Sequence, residues 1–207
     1  YRKRWQYADG NCDRNSSTIL NFNYSNLKQI LISLSLLFAA VVVKAQEPVQ
    51  TTKQILNEAY ALAAKENKKV FIMFHASWCG WCHKMDKSMN DESCKKYFDD
   101  NFVIRHLVVN ESPDKKHLEN PGAEDLKNLY HGTGQGIPFW LIFDKDGKLL
   151  SDSKIRKKGE GPEVGENSGC PASEVEVDFF ISVLKKTTSL KKAELEIIEK
   201  QFRKNEM

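Results

Sequence analysis

The chain has 207 residues, 29% of them charged, and a formal net charge of +3. Its apolar content of 41%, counted without the 11 glycines, approaches that of ordinary globular proteins and excludes disordered and collagen-like chains. Five cysteines are too few for a small disulfide scaffold but enough for a redox pair, so their spacing matters more than their number.

Residues 1–26 are rich in Asn and Ser and lack periodicity, so they are expected to form an upstream extension rather than a folded element, with translation starting at Leu27. Ile30 to Val43 then forms an uncharged, apolar run of fourteen residues. A bilayer span takes about 17–25 residues, so the run is short for one. With Lys28 ahead of it and the small side chains of Val43 and Ala45 behind it, Leu27–Ala45 is expected to be a secretory signal peptide. No cysteine stands at the Ala45/Gln46 junction, which argues against a lipid anchor. Residues 1–45 hold six basic and two acidic side chains, a net of +4, so the 162 residues that follow carry −1. No basic surface is left for nucleic acid, whose binding needs clustered Lys and Arg. A periplasmic or secreted location follows, and there disulfides persist.

Thr51 and Gln54 form a capping box for a helix ending near Asn67, with Ile55, Leu56, Ala59, Tyr60, Leu62 and Ala63 on one face. Val70 to Phe74 is a continuous apolar run, which predicts a strand covered on both faces. The segment His75-Ala76-Ser77-Trp78-Cys79-Gly80-Trp81-Cys82-His83 follows directly, and Cys82, Met85 and Met89 then recur at helical spacing. Further on, the pattern predicts a strand at Phe102–Val109, a loop at Asn110–Gly122, a short helix at Ala123–Tyr130 and a buried strand at Phe139–Phe143. Asp144–Gly147 is a hairpin turn into a strand near Lys148–Ser151. Residues 154–171 are rich in Gly, Pro and charge without period, a long loop expected to be functional or mobile. Ser173 and Glu176 cap a helix whose inward face is read as Val175, Phe179, Val183, Phe180 and Leu184. A last charged helix is expected from Leu190 to about Arg203, with Leu190, Ala193, Ile197, Ile198 and Phe202 available for packing.

The cysteine pair has a direct chemical meaning at a strand-to-helix junction. Cys79 would point its sulfur at the helix N-terminus, where unpaired N–H groups and the helix dipole favour a thiolate and lower its pKa from about 8.5 toward ~7 or below. Cys82, one turn on, is close enough to resolve a mixed disulfide, so the pair can accept or donate two electrons. His83 lies four residues after Cys79, and an imidazolium there would stabilise the thiolate further; an exposed helix histidine of little effect is the alternative.

Trp78-Cys79-Gly80-Trp81-Cys82 after an apolar strand, with Gly136-Ile137-Pro138 ahead of a later one, resembles the thioredoxin superfamily, more narrowly its exported bacterial members, over roughly Thr51 to Leu184. The resemblance implies an α/β thioredoxin fold: a mixed central sheet flanked by helices over residues 46–187, followed here by a helical C-terminal extension at 188–207. It implies a protein thiol-disulfide oxidoreductase with Cys79 as nucleophile, Cys82 as resolving cysteine and Pro138 as a cis-proline facing them. Ile137 would pair with the client backbone, and Trp78, Gly80 and Trp81 would complete the client site. No cofactor or metal is implied beyond the redox-active Cys79/Cys82 disulfide. The partners implied are protein thiols or disulfides and a membrane thiol carrier of electrons. Two departures stand out: Met73 occupies the place of the family's frequent buried acid, and Gly80-Trp81 replaces Gly-Pro between the cysteines.

Rival readings exist for the same residues. Cys79–His83 also satisfies the C-x-x-C-H pattern of c-type haem attachment, but the preceding buried strand argues against it. The pair could give two zinc ligands, with His75 or His83 as a third, yet no second Cys pair stands at structural spacing. A redox-inactive peptide-binding module using Trp78 and Trp81 is the third rival. Cys94 and Cys170 could pair with each other or sit free in the core.

Overall fold

The computed structural model describes residues 48–206; the signal-peptide and upstream-extension expectations fall outside them. Helix α1, Thr52–Glu66, begins with the expected capping box. Thr51 Oγ1 accepts the Gln54 N–H, and the Gln54 side chain accepts the Thr51 N–H. It ends where Asn67 turns left-handed at φ 54°. Strand β1, Lys69–His75, leads into α2, Gly80–Met89, and a short α3, Lys95–Asn101, precedes β2, Phe102–Val108. The stretch read as loop after β2 contains a 3₁₀ turn at Pro113–Leu118, started by a proline at its N-terminus. Helix α4, Ala123–Leu129, then leads to β3, Phe139–Phe143, and β4, Leu149–Asp152.

The four strands make one mixed sheet in the order β2-β1-β3-β4. β1 and β2 are parallel, and the β1/β3 and β3/β4 pairs are antiparallel. β1 lies in the interior of the sheet with Val70 to Phe74 all buried, as an uninterrupted apolar run requires. Its side chains alternate between two cores. Val70, Ile72 and Phe74 pack with Ile55, Ala59 and Ala63 of α1, while Phe71 and Met73 pack with Met85 and Met89 of α2 and the C-terminal helices.

Residues 154–171 correct the expectation of an aperiodic loop. They form a small antiparallel hairpin in which β5, Lys154–Ile155, pairs with β6, Glu166–Asn167. Two-residue strands are too short to show alternation, and the tether is polar. The buried Lys154 ammonium donates to the carbonyls of Pro162 and Glu163 at 3.1 and 3.0 Å. Arg156 holds both Asp152 carboxylate oxygens at 2.7 and 2.8 Å.

Helix α5, Glu174–Thr187, has the expected Ser173/Glu176 capping box but a different phase. Phe180, Val183 and Leu184 face inward as read, joined by Val177 and Thr187, while Val175 is 67% exposed. At about 100° per residue Val175 lies about 140° round the helix from Phe180, which explains its exposure. Phe179 is half-buried and stacks on Trp140. Helix α6, Lys192–Phe202, continues into a 3₁₀ turn at Arg203–Glu206. It buries Leu195, Ile198, Gln201 and Phe202, whereas Ala193 and Ile197 face outward. Phe202 is fully buried between Phe98 and Phe180, so the C-terminal helix is built into the same core as α2.

Candidate active site

β1 and β2 run parallel, so their carboxyl ends emerge on the same edge, and the segments that follow them meet there. Cys79 is the N-cap residue of α2: its sulfur accepts the Cys82 N–H at 3.1 Å, inside the ring of unpaired amides that begins the helix. Cys79 and Cys82 are bonded to each other, S–S 2.06 Å, and both are buried. Ile137 faces them, with its carbonyl oxygen 3.6 Å from the Cys79 sulfur, and the Ile137-Pro138 peptide is cis. Sequence positions 58 residues apart are thus brought together.

The two residues ahead of Cys79 are held by the segment after β2. Glu111 is buried and accepts the Ser77 N–H at 2.6 Å and the Ser77 hydroxyl at 2.8 Å. Desolvation pushes its carboxyl up, but these bonds and nearby Lys115 outweigh that and keep it below its ordinary range. Trp78 donates its indole N–H to the Asn110 carbonyl at 2.8 Å. Trp78 and Trp81 remain 59% and 49% exposed, and the Lys84 ammonium lies 4.6 Å from the Trp81 ring centroid. Gly80, between them, has open space where a side chain would be.

His83 is exposed, and its Nε2 lies 3.0 Å from the Ser77 carbonyl oxygen. A carbonyl only accepts, so Nε2 carries the proton there. Met73, at the place of the family's buried acid, is fully packed and supplies no carboxylate. On the same side of the sheet His75 stacks edge-on to His106 at 5.0 Å, and His106 Nε2 lies 2.8 Å from Asp86 of α2. Burial, and then the neighbouring His106, lower the pKa of His75. Cys94 and Cys170 are buried and unpaired; burial pushes the Cys170 thiol up to about 12. Among the described residues, no group of three or more His, Cys, Asp and Glu is placed to hold a metal ion.

Ile137 also lines a groove of about 380 Å³, together with Trp81, Pro138, Glu166, Asn167 and Ser168 among others. Asn167 reaches across to the segment before β3, donating to the carbonyls of Gly136 and Pro138. Sequence reading does not single out Glu111 or Asn167. The parallel β1/β2 pairing is the one signal that could have pointed to Glu111, because loops after parallel strands share an edge; Asn167 sits in an aperiodic stretch and had none.

Residues 51–145 match the family model described as Thioredoxin-like. These residues make up a thioredoxin-like domain. Over 95 residues this thioredoxin-like chain is 28% identical to the thiol:disulfide interchange protein DsbD of Photorhabdus laumondii, covering 45% of this chain and 15% of that one. Over 98 residues it is 31% identical to the disulfide bond reductase DsbH of Chlamydia pneumoniae, covering 45% of this chain and 57% of that one. It therefore spans less than two thirds of either relative. A solved disulphide isomerase from Xylella fastidiosa Temecula1 aligns with a TM-score of 0.41 at 22% identity, over 53% of this chain and 77% of that one. The β5/β6 hairpin, α5 and α6 of this thioredoxin-like chain lie beyond the residues that the family model matches.

Proposed function

We propose that the chain is an exported thiol-disulfide oxidoreductase that exchanges disulfides with protein clients through Cys79 and Cys82, working as a reductase or isomerase. The observation that carries this reading is the Cys79–Cys82 bond at the start of α2, with the Cys79 sulfur on the Cys82 amide. In the reduced pair the same amide and the helix dipole favour a Cys79 thiolate.

Reduction of a client then runs in two steps. The Cys79 thiolate attacks one sulfur of the client disulfide, forming a mixed disulfide and expelling the first client thiolate. Cys82, deprotonated, attacks the Cys79 sulfur, re-forms the bond seen here and expels the second client thiolate. Two electrons pass from the dithiol to the client, and the protons given up by Cys79 and Cys82 end on the two client thiols. The pair itself carries the electrons, so the reaction draws on no other cofactor. Trp78 and Trp81 offer two exposed aromatic faces to the client beside the sulfurs.

The direction rests on the Gly80-Trp81 dipeptide, which has no positive group to overstabilise the reduced form. The names of the relatives, an interchange protein and a disulfide bond reductase, are consistent with it. Export rests on the Leu27–Ala45 sequence, and a reductase outside the cytoplasm needs a membrane thiol carrier to re-reduce Cys79 and Cys82. Among the described residues no helix is long and apolar enough to cross a membrane. Turbidimetric insulin reduction with dithiothreitol as electron source tests the activity. Acceleration by the wild type and none by Cys79→Ser is expected; equal rates for the two would overturn the proposal.

A further inference from the structure

We infer that Asn167 is a positioning residue for protein clients, setting the backbone at Ile137 against which an extended client chain lies, so that the β5/β6 hairpin separates protein disulfides from small ones. The inference rests on the dithiol reading above and goes beyond it in naming what selects the substrate class.

An asparagine amide has two N–H donors. Asn167 directs Nδ2 at Gly136 O, 2.8 Å, and at Pro138 O, 3.0 Å, the carbonyls on either side of Ile137. Its Oδ1 accepts the Gly169 N–H at 3.1 Å, and its own backbone N–H donates to the Gln135 side chain at 3.1 Å. One residue thus ties the segment from Gln135 to Pro138 to the hairpin. Ile137, whose carbonyl lies 3.6 Å from the Cys79 sulfur, is suspended between the two carbonyls that Asn167 holds.

The hairpin is a firm support for this contact. Lys154 and Arg156 anchor its base through the bonds described above, and Arg156 also donates to the carbonyls of Val164 and Pro162, both at 2.9 Å. Trp140, fully buried in β3, donates its indole N–H to Gly169 O at 3.0 Å, fixing the chain just past Asn167. The groove between this wall and Trp81 is lined by Ile137 and Pro138. Ser168 lines it as well, its backbone N–H donating to the Ser153 carbonyl at 2.8 Å and holding the chain next to Asn167 in place.

A small disulfide needs only access to the Cys79 sulfur. A protein disulfide must also lay its flanking chain along Ile137 and the groove, and misplacement by about 1 Å costs on the order of 100-fold in rate. Loss of the Asn167 clamp should therefore fall on protein clients alone. Asn167→Asp is the more pointed variant: it keeps an acceptor for Gly169 but turns an oxygen toward two carbonyl oxygens.

The test compares the full-length wild type, Asn167→Ala and Asn167→Asp in two assays: insulin reduction, and reduction of 5,5′-dithiobis(2-nitrobenzoic acid) by the pre-reduced protein. For both variants kcat/KM with insulin should fall at least tenfold, while the rate with the small disulfide stays within twofold. Equal losses in the two assays, or no loss in either, would overturn the inference while leaving the dithiol reading intact. A wild type that reduces neither substrate would overturn the dithiol reading, and this inference with it.

Discussion

Asn205, at the C-terminal end, is bonded to the helix that carries Cys82, and removing its side chain should loosen the whole site. The residue is buried; its Oδ1 accepts the Ser88 hydroxyl of α2 at 3.0 Å, and its Nδ2 donates to Pro171 O at 3.0 Å and to the Cys170 sulfur at 3.4 Å. Asn205→Ala leaves Ser88 Oγ and Pro171 O without these partners inside the protein. Each buried polar group left unpaired costs about 1–3 kcal/mol, and the sulfur contact adds little, so a loss of about 2–6 kcal/mol is expected. For a domain of this size about 1 kcal/mol moves Tm by roughly 2–4 °C, so Tm should fall by roughly 10 °C. Thermal unfolding followed by circular dichroism measures it, and urea unfolding gives the free energy independently. A Tm within about 2 °C of wild type would refute the idea that the C-terminal turn braces α2.

Three further outcomes follow from the site. Glu111→Gln should destabilise the chain at pH 7 by about 2 kcal/mol, the scale of hydrogen bonds to a charged group. Because the folded pKa of Glu111 lies below its ordinary 4.5, its contribution is complete above that value and is lost as pH falls through the folded pKa. Urea midpoints of wild type and variant should therefore converge on acidification; a constant gap would refute the assignment. The role proposed for His83 in stabilising the Cys79 thiolate predicts that His83→Ala moves the alkylation profile of Cys79 to higher pH, and an unshifted profile defeats it. In the native reduced protein Cys94 and Cys170 should stay unmodified by iodoacetamide at pH 8 while Cys79 is labelled, as peptide mapping would show, because both are buried and burial raises their pKa.

Much of this architecture is written locally. Val70 to Phe74 is apolar at every position because both sheet faces are covered, and Thr51/Gln54 and Ser173/Glu176 mark helix starts within four residues of sequence. The cysteine pair was visible because its spacing is one helical turn. The contacts that escape sequence reading link distant positions through polar groups. Lys154 is a lysine at a position where composition suggests a solvated loop, yet three backbone carbonyls surround its ammonium. Asn167 acts on Pro138 from 29 residues away, and Asn205 acts on Ser88 across 117. Val175, Phe179 and Val183 repeat at a spacing of four, which in sequence points Val175 inward although α5 leaves it exposed. The face that packs follows Val177, Phe180, Val183 and Leu184.

The reduction potential of the Cys79/Cys82 pair, measured by equilibration with glutathione buffers and quantified by alkylation of the free thiols, bears most directly on the central claim. A single two-electron transition lying nearer ~−270 mV than ~−120 mV is the result expected of a dithiol that reduces or isomerises client disulfides. A pair whose thiol content does not follow the glutathione ratio, or one poised near ~−120 mV, would contradict it.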